Sequence, residues 1–470
     1  MSQPRILFHI ASYPACNEMF VIIDHMLETV DVEIFVFVEN EKISTFLTEN
    51  FTERNIQLID FYATEEKAGS KILNKQIWTS GQSKQYDRGR MLFRRLKLAI
   101  YEMPIFEWHR QKKLSELIQE RINSCKAIIA EIKPICLVVR GDRHLGNQWE
   151  GALLKVCGEE NIKRVIIPIA TASTESLIKI RQKKNVLFVE EKSKLKEEFA
   201  NQIILDPQSG HHLLYKKSYI LRALKENGIL SENPWVMGGG NSDLMMVEGD
   251  ASYQRYAQEG TPVEKMVVTG HGSNDELCRV YEGRENLRCL KCNKYSFDPE
   301  QKVVIVALPQ LGEHKIMSWE HHWIEIHFLC QVMQKIEANI LISLHPRMDP
   351  EKYLFIQKDY GIQMADEQLV DILPIADIFL SCFSSTVEWS IMCGIPTVAF
   401  DFYTFNYKLY SNINSLIVIN EKKLFLELLR KLVNNKVFYT ETKKRTEKDS
   451  SSFGRMDGSC RTRIVENILQ

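Results

Sequence analysis

Short apolar runs alternate along this chain with longer stretches in which apolar residues recur every three or four positions. The first runs are RILFHIA (Arg5–Ala11), VEIFVFVE (Val32–Glu39) and IQLIDF (Ile56–Phe61). After an amphipathic helical pattern around Met91–Ile132 come ICLVVR (Ile135–Arg140), RVIIPIA (Arg164–Ala170) and DLMMVEG (Asp243–Gly249). A second series opens with KMVVTG (Lys265–Gly270), KVVIVAL (Lys302–Leu308) and NILISLH (Asn339–His345). It continues with DIFLSC (Asp377–Cys382), PTVAFDF (Pro396–Phe402) and SLIVIN (Ser415–Asn420). Runs so short and so continuously apolar read as strands covered on both faces, and strands separated by helices build parallel sheets. The pattern therefore predicts an α/β protein of two doubly wound, Rossmann-like domains whose parallel sheets face a cleft.

At 470 residues the chain exceeds one ordinary core, which agrees with two domains. The expected division is residues 1–264, then 265–455, then a closing helix at 456–470 that returns toward the first domain. Two segments break the rhythm. Ala63–Lys113 is rich in Lys and Arg and poor in acids. It reads either as a mobile loop with a solvated helix face or as a contact surface for an anionic acceptor or a membrane. Thr171–Gly240 is longer than one crossover helix needs and predicts extra helices. Its Gly238–Gly240 reads as a hinge, a tight turn or a close approach of backbone to ligand. The stretch ETKKRTEKDSSS predicts a helix end and connector ahead of a turn at Met456–Gly458.

Composition narrows the function. A net charge of −1 and a pI of about 6.9 supply no global attraction to nucleic acid. No apolar run reaches the roughly 20 residues of a spanning helix. The stretch MSQPRILFHIASYPACNEMF lacks a basic segment followed by an apolar one, so it reads as a first strand rather than a signal. Eleven cysteines, an odd number spread through a long chain, predict reduced thiols and a cytoplasmic protein.

Candidate chemistry sits where strands end. Proline cannot donate in a ladder, so in ILISLHPRMDP the strand stops at Pro346 and presents His345 and Arg347 at its tip. An imidazole can donate to a phosphate oxygen and Arg offers a fork for one, although a strand-end histidine also caps local carbonyls. In DIFLSCFSSTVEWS, Ser384, Ser385 and Thr386 stand at a helix start, where hydroxyls either cap the helix or help hold an anion. Glu388, four residues after Ser384, either accepts from ribose hydroxyls or completes the cap. The two elements are expected on adjacent strand tips, and phosphate plus ribose suits them better than a metal. Gln310, His314 and Lys315 follow another strand in ALPQLGEHK, and one of them, with Gln310 the first choice, is expected to contact the nucleotide.

Asp142 in RGDRH is the candidate general base, with Glu18 in the loop after the first strand as reserve. Arg140 and Arg143 flank Asp142, which equally suits a salt-bridged structural role. His271 in TGHGSND either touches substrate or caps its turn. CLKC (Cys289–Cys292) has no second cysteine pair, and HHWIEIH does not match His-Glu-x-x-His, so no metal site is predicted.

On these residues the second half resembles the nucleotide-binding domain of GT-B-fold glycosyltransferases that carry an HP motif and a later SS motif. These include bacterial capsule and sialic-acid-type transferases and the CDP-glycerol glycerophosphotransferases. The matching residues are His345-Pro346 and Ser384-Ser385, and the resemblance implies that they contact the phosphates and ribose of a nucleotide. DFYTFNY (Asp401–Tyr407) and DGSCRTRIVENIL resemble the family's aromatic segment and closing helix. The resemblance covers about Lys265–Gln470.

It implies a transferase without a cofactor, and since no Asp-x-Asp stands at a strand end the expected enzyme is metal-independent. Such an enzyme moves a sugar from a nucleotide-sugar donor, such as a CMP-linked one, to a glycan or lipid-linked acceptor in surface-polysaccharide assembly. It would be cytoplasmic, with the basic segment at residues 63–113 as a peripheral contact with the inner membrane face. The sequence is also similar to UDP-N-acetylglucosamine 2-epimerases through VVRGDRHLGNQWEGALL and VTGHGSNDEL. It departs from them at PIATASTESL, which lacks their catalytic stretch, and at SSTVEWS, which lacks their loop glycine. A non-catalytic nucleotide-binding protein is the third reading.

Overall fold

Strands this apolar must be covered on both faces, and the architecture follows from that. The structure, a computed structural model, describes residues 3–39, 41–51, 56–60, 106–143, 148–169, 173–382, 384, 386–403 and 413–470. Residues 63–105 of the basic segment and Ser385 lie outside the described residues. The chain divides into two units. Unit 1 comprises Met1–Val247, Gln254–Val267 and Ile464–Gln470, and unit 2 comprises Glu248–Tyr253 and Val268–Arg463.

In unit 1 the chain order is β1 (Arg5–Ile10), α1 (Tyr13–Thr29), β2 (Glu33–Val38), α2 (Glu41–Phe51), β3 (Ile56–Asp60), α3 (Glu107–Ile132), β4 (Cys136–Val139), α4 (Trp149–Glu159) and β5 (Lys163–Ile166). Then come α5 (Thr174–Gln182), β6 (Phe188–Val189), β7 (Ile203–Leu205), β8 (His212–Leu214), α6 (Ser218–Glu226), β9 (Leu244–Val247), α7 (Asp250–Glu259), whose first turn counts to unit 2, and β10 (Met266–Val268), whose last residue does too. Seven strands form one sheet in the order β10-β9-β5-β4-β1-β2-β3, while β6, β8 and β7 form a small antiparallel sheet. β10 therefore completes the first sheet, although the sequence places KMVVTG at the head of the second series. The segment at residues 171–240 holds that small sheet as well as helices, because its strands are too short to show a period.

Unit 2 continues with α8 (Asn274–Glu282), α9 (Arg284–Tyr295), β11 (Val303–Ala307), α10 (Trp319–Met333), β12 (Asn339–Ser343), α11 (Phe355–Tyr360), β13 (Gln363–Met364) and β14 (Ile378–Ser381). It closes with α12 (Thr386–Met392), β15 (Thr397–Phe400), β16 (Ile417–Ile419), α13 (Lys422–Asn434), α14 (Lys436–Phe453) and α15 (Cys460–Leu469). The stretch predicted as a connector, ETKKRTEKDSSS, is helical within α14. The six strands are parallel in the order β13-β12-β11-β14-β15-β16.

Side chains alternate across this sheet with period two. Val304, Val306, Ile340, Ile342 and Leu380 pack on one face with Ile326, Leu329 and Phe425. Val303, Ile305, Leu341 and Phe379 pack on the other with Leu277 and Tyr295. Each such buried side chain stabilises by roughly 1.5–3 kcal/mol, so no strand of the centre can turn a face to water.

The final helix contributes to both units. Ile464, Val465 and Ile468 of α15 are buried with Ile6, Phe8 and Ile10 of β1, and Lys163 Nζ donates to Asn467 O at 2.7 Å. All eleven cysteines are free thiols. Among the described residues no helix is long and apolar enough to cross a membrane.

Candidate active site

The unit 2 sheet starts in its middle. The chain runs from β11 outward to β12 and β13, then returns to β14 on the other side of β11. That reversal is a topological switch point, and sheets of this kind bind ligands beyond the carboxyl tips there. The tips are level, since Ala307 on β11 pairs with Ser343 on β12 and with Ser381 on β14. β12 and β14 are therefore not adjacent, as the motifs alone suggested. β11 separates them, which sets His345 and Ser384 about two strand spacings apart, roughly 10 Å, across the β11 loop.

The β12 tip is a tight turn. Met348 N donates to His345 O at 2.8 Å, with Pro346 in the second position, where its fixed φ suits the turn. Arg347 N donates to His345 Nδ1 at 3.1 Å. An Nδ1 that accepts leaves the proton of the neutral ring on Nε2, so Nε2 is the ring's donor. Partial burial pulls the His345 pKa below its ordinary value, with Arg347 and His314 acting the same way and Glu313 opposing them. His345 is therefore a neutral hydrogen-bond donor at pH 7. His345, Pro346 and Arg347 are all exposed.

The β14 tip leads through buried Ser381 and Cys382 to a capped helix start. Thr386 N and Thr386 Oγ1 donate to Ser384 Oγ at 3.3 and 2.9 Å. Glu388 is half-buried on the first turn of α12. Ser384 thus performs the capping role.

Between these tips the β11 loop is held by a chain that the sequence did not disclose. Gly312 N donates to His322 Nδ1 at 3.3 Å, His322 Nε2 meets the Tyr353 hydroxyl at 2.9 Å, and that hydroxyl donates to Glu313 Oε1 at 2.7 Å. His322 is fully buried, and burial lowers its pKa. The histidines of HHWIEIH read as a partly exposed helix face, yet His322 turns inward. Ser318 caps α10 by accepting from His321 N, and this sets the helix phase. Gly312 has no room for a side chain, because a Cβ there would lie 2.8 Å from the Trp319 ring. Gln310 is half-buried in the same loop, and its Oε1 has no hydrogen-bond partner among the described residues.

The other candidates belong to other elements. Asp142 follows β4 in unit 1 and is fully buried. Its carboxylate accepts from Gly238 N at 3.0 Å, Gly240 N at 2.8 Å and Ser242 Oγ at 2.9 Å. Three donors to a buried carboxylate make it a clamp for the glycine turn. Its hydrogen-bonding partners are two main-chain amides and the Ser242 hydroxyl, which favours a structural role over that of a base. Gly238–Gly240 approach Asp142 rather than a ligand: a Cβ on Gly240 would lie 2.7 Å from Asp142 O, and Gly238 has φ +76°. Glu18 lies within α1 rather than in the loop before it. His271 sits after β10 with Nδ1 2.8 Å from Ser273 Oγ, which ties it into its own turn.

No family model matches this chain. Over 137 residues it is 28% identical to a teichoic acid glycerol-phosphate primase of Bacillus spizizenii strain W23, a stretch that covers 29% of this chain and 34% of that relative. The match thus spans about a third of the relative's length. Among solved structures, UDP-GlcNAc 2-epimerase from Neisseria meningitidis bound to UDP-GlcNAc is similar with a TM-score of 0.52 and 14% identity, over 99% of both chains. A variant of the wall teichoic acid polymerase TagF is similar with a TM-score of 0.52 and 10% identity, over 99% of this chain and 88% of that one. The fold is GT-B-like. At such identities the likeness concerns the fold, so the function must be argued from the residues.

Proposed function

We propose that this chain is a GT-B-type transferase that binds a nucleotide-activated donor at the strand tips of unit 2. The observation that carries the reading is the His345 turn: an exposed, neutral ring whose Nε2 is the donor, one strand away from the switch point. In this reading His345 donates to a phosphate oxygen of the donor, and Arg347 supplies the positive charge. Hydroxyls of the Ser384-Ser385-Thr386 motif would add polar contacts to the same nucleotide, with Gln310 as a further one. Glu388 accepts from the ribose. The chain has no Asp-x-Asp at a strand end, so protein groups would carry the leaving phosphate's charge.

The first donor candidates are cytidine nucleotides. A CMP-linked sugar is suggested by the motif resemblance, and CDPG by the likeness to TagF crystals soaked with it, at a TM-score of 0.51. The acceptor would be a surface-polysaccharide or lipid-linked glycan, which the name of the primase relative supports. The work would be done at the cytoplasmic membrane face, with residues 63–113 as the basic contact.

A thermal-shift screen of CMP, CDP, UMP, UDP, GDP and TDP tests the donor site. One base is expected to raise Tm, and His345→Ala is expected to weaken that nucleotide at least tenfold while the fold survives. Unchanged affinity in His345→Ala would sink the phosphate role. The second reading, an epimerase, draws on the fold likeness over the full chain. It requires UDP-N-acetylglucosamine to gain deuterium at C2 in deuterated water without an acceptor.

A further inference from the structure

Unit 1 repeats the topology of unit 2. Its sheet also starts in the middle, with β1 between β2 and β4, so its own switch point lies between the tips of β1 and β4. That place holds a polar cluster for which the donor site has no use. His9, on β1, is 1% exposed. Its Nδ1 lies 3.9 Å from Glu150 Oε1, and its Nε2 lies 3.7 Å from Glu39 Oε1 beyond the end of β2. Arg140, the first residue after β4, brings Nε to 3.7 Å from the same Glu150 oxygen and donates from Nη1 to Ser12 Oγ at 3.4 Å. Ser12 directly precedes α1 but does not cap it with its side chain. The Glu150 side chain, on the first turn of α4, is 7% exposed, whereas that of Arg140 is 32% exposed. Among the described residues, the cluster therefore has a closed acidic floor and one cation partly open to solvent.

Burial pushes the Glu150 carboxyl up to about 7, against the pull of His9 and Arg140, while Glu39 and Asp142 act in the same direction as burial. Lys216, between β8 and α6, also interacts with Glu150. Burial and then Arg181 push it down to about 8, and Glu150 draws it back up. A carboxyl that ionises only near neutrality is a conditional partner for Arg140.

We propose that Arg140 is the binding residue of an anion site at the β1–β4 tip of unit 1, where an incoming dianion competes with the Glu150 carboxylate for one guanidinium. The ligand class is a phosphate- or sulfate-like dianion. Under the transferase reading it is a phosphate group of the acceptor, and only that naming rests on the reading. Protonation of Glu150 releases Arg140, so anion binding tightens as pH falls through about 7.

Calorimetric titration of the full chain with sulfate, a dianion throughout this range, tests the site. Binding is expected to be about tenfold tighter at pH 6 than at pH 8, the limit for competition with one group titrating near 7. Arg140→Gln should lose at least tenfold at pH 6 yet keep its nucleotide affinity, which separates this site from the donor site in unit 2. Glu150→Gln should bind sulfate equally at both pH values. For the wild-type chain at pH 7, titration in buffers of different ionisation enthalpy should show proton uptake on binding. Sulfate binding unchanged in Arg140→Gln, or no proton uptake in the wild type, overturns the proposal. Glycerol 3-phosphate run in parallel separates the sources. Tighter Arg140-dependent binding than sulfate supports an acceptor ester, and weaker binding overturns that assignment.

Discussion

Replacing Glu150 with Gln removes a carboxyl that the fold holds in its acid form and keeps its shape. The folded carboxyl titrates near 7, against an ordinary value of 4.5, because burial penalises its charge. A raised folded pKa means that the folded state binds the proton more tightly. The stability this supplies is complete below about pH 4.5 and is lost as pH rises through about 7. A shift of about 2.5 units is worth roughly 3 kcal/mol, of which about 2.5 kcal/mol is lost between pH 5 and pH 8. Gln does not titrate, so Glu150→Gln should gain about 2.5 kcal/mol on the wild type between those pH values. His9 and Arg140 lose a partner in the variant, which shifts the offset, so the slope with pH is the diagnostic quantity.

Two-unit chains need not unfold in one step, so a local probe is required. Cys136 on β4 and Cys157 on α4 are fully buried in unit 1, and Cys330 on α10 is fully buried in unit 2. Labelling with a dithiodipyridine, which reacts in acid as well as base, is compared between the two proteins at each pH, so intrinsic thiol reactivity cancels. The wild-type to variant ratio of labelling at Cys136 and Cys157 should rise roughly 60-fold from pH 5 to pH 8. The ratio at Cys330 should stay flat. A flat ratio at all three thiols would refute the claim that burial dominates the Glu150 pKa.

Asp142→Ala should cost unit 1 about 3 kcal/mol or more, since it strands buried donors at Gly238 and Gly240. Labelling of Cys136 and Cys157 through a urea series measures the cost in unit 1, and a variant of normal stability without activity would support Asp142 as a base. Gly240→Ala should destabilise by about 1–3 kcal/mol, because its Cβ meets backbone rather than a movable side chain. A stability equal to wild type by the same urea assay would show that the turn can give way. Tyr353→Phe should leave His322 Nε2 and Glu313 Oε1 unpaired, lower Tm by a few degrees and weaken the nucleotide found in the screen. Weakened stability with unchanged nucleotide affinity would detach the β11 loop from the donor site.

Strands such as β11, β12 and β14 were legible because both of their faces are buried, which makes their apolar runs nearly continuous. His345 was legible for a similarly local reason, since Pro346 had to end the strand. The order of the strands was not. That β11 stands between the two motif-bearing tips depends on which side of the sheet the chain returns to, and sequence order carries no sign of it. The role of Asp142 was hidden by distance, because its partners lie about a hundred residues further on. The inward turn of His322 is a matter of helix phase, set by the cap at Ser318 in a helix whose aromatic and histidine residues blur the apolar stripe. β6, β7 and β8 are two or three residues long, too short for a period to register.

The last helix constrains how the protein can be made. Unit 1 includes Ile464–Gln470, so its core stays incomplete while Val268–Arg463 is still being translated. At bacterial-to-eukaryotic elongation rates, those roughly 200 residues take about 10–40 s. Throughout that interval the surface that will receive Ile464, Val465 and Ile468 faces water or a chaperone. A tag or truncation at the carboxyl end would therefore act on the unit that emerged from the ribosome first.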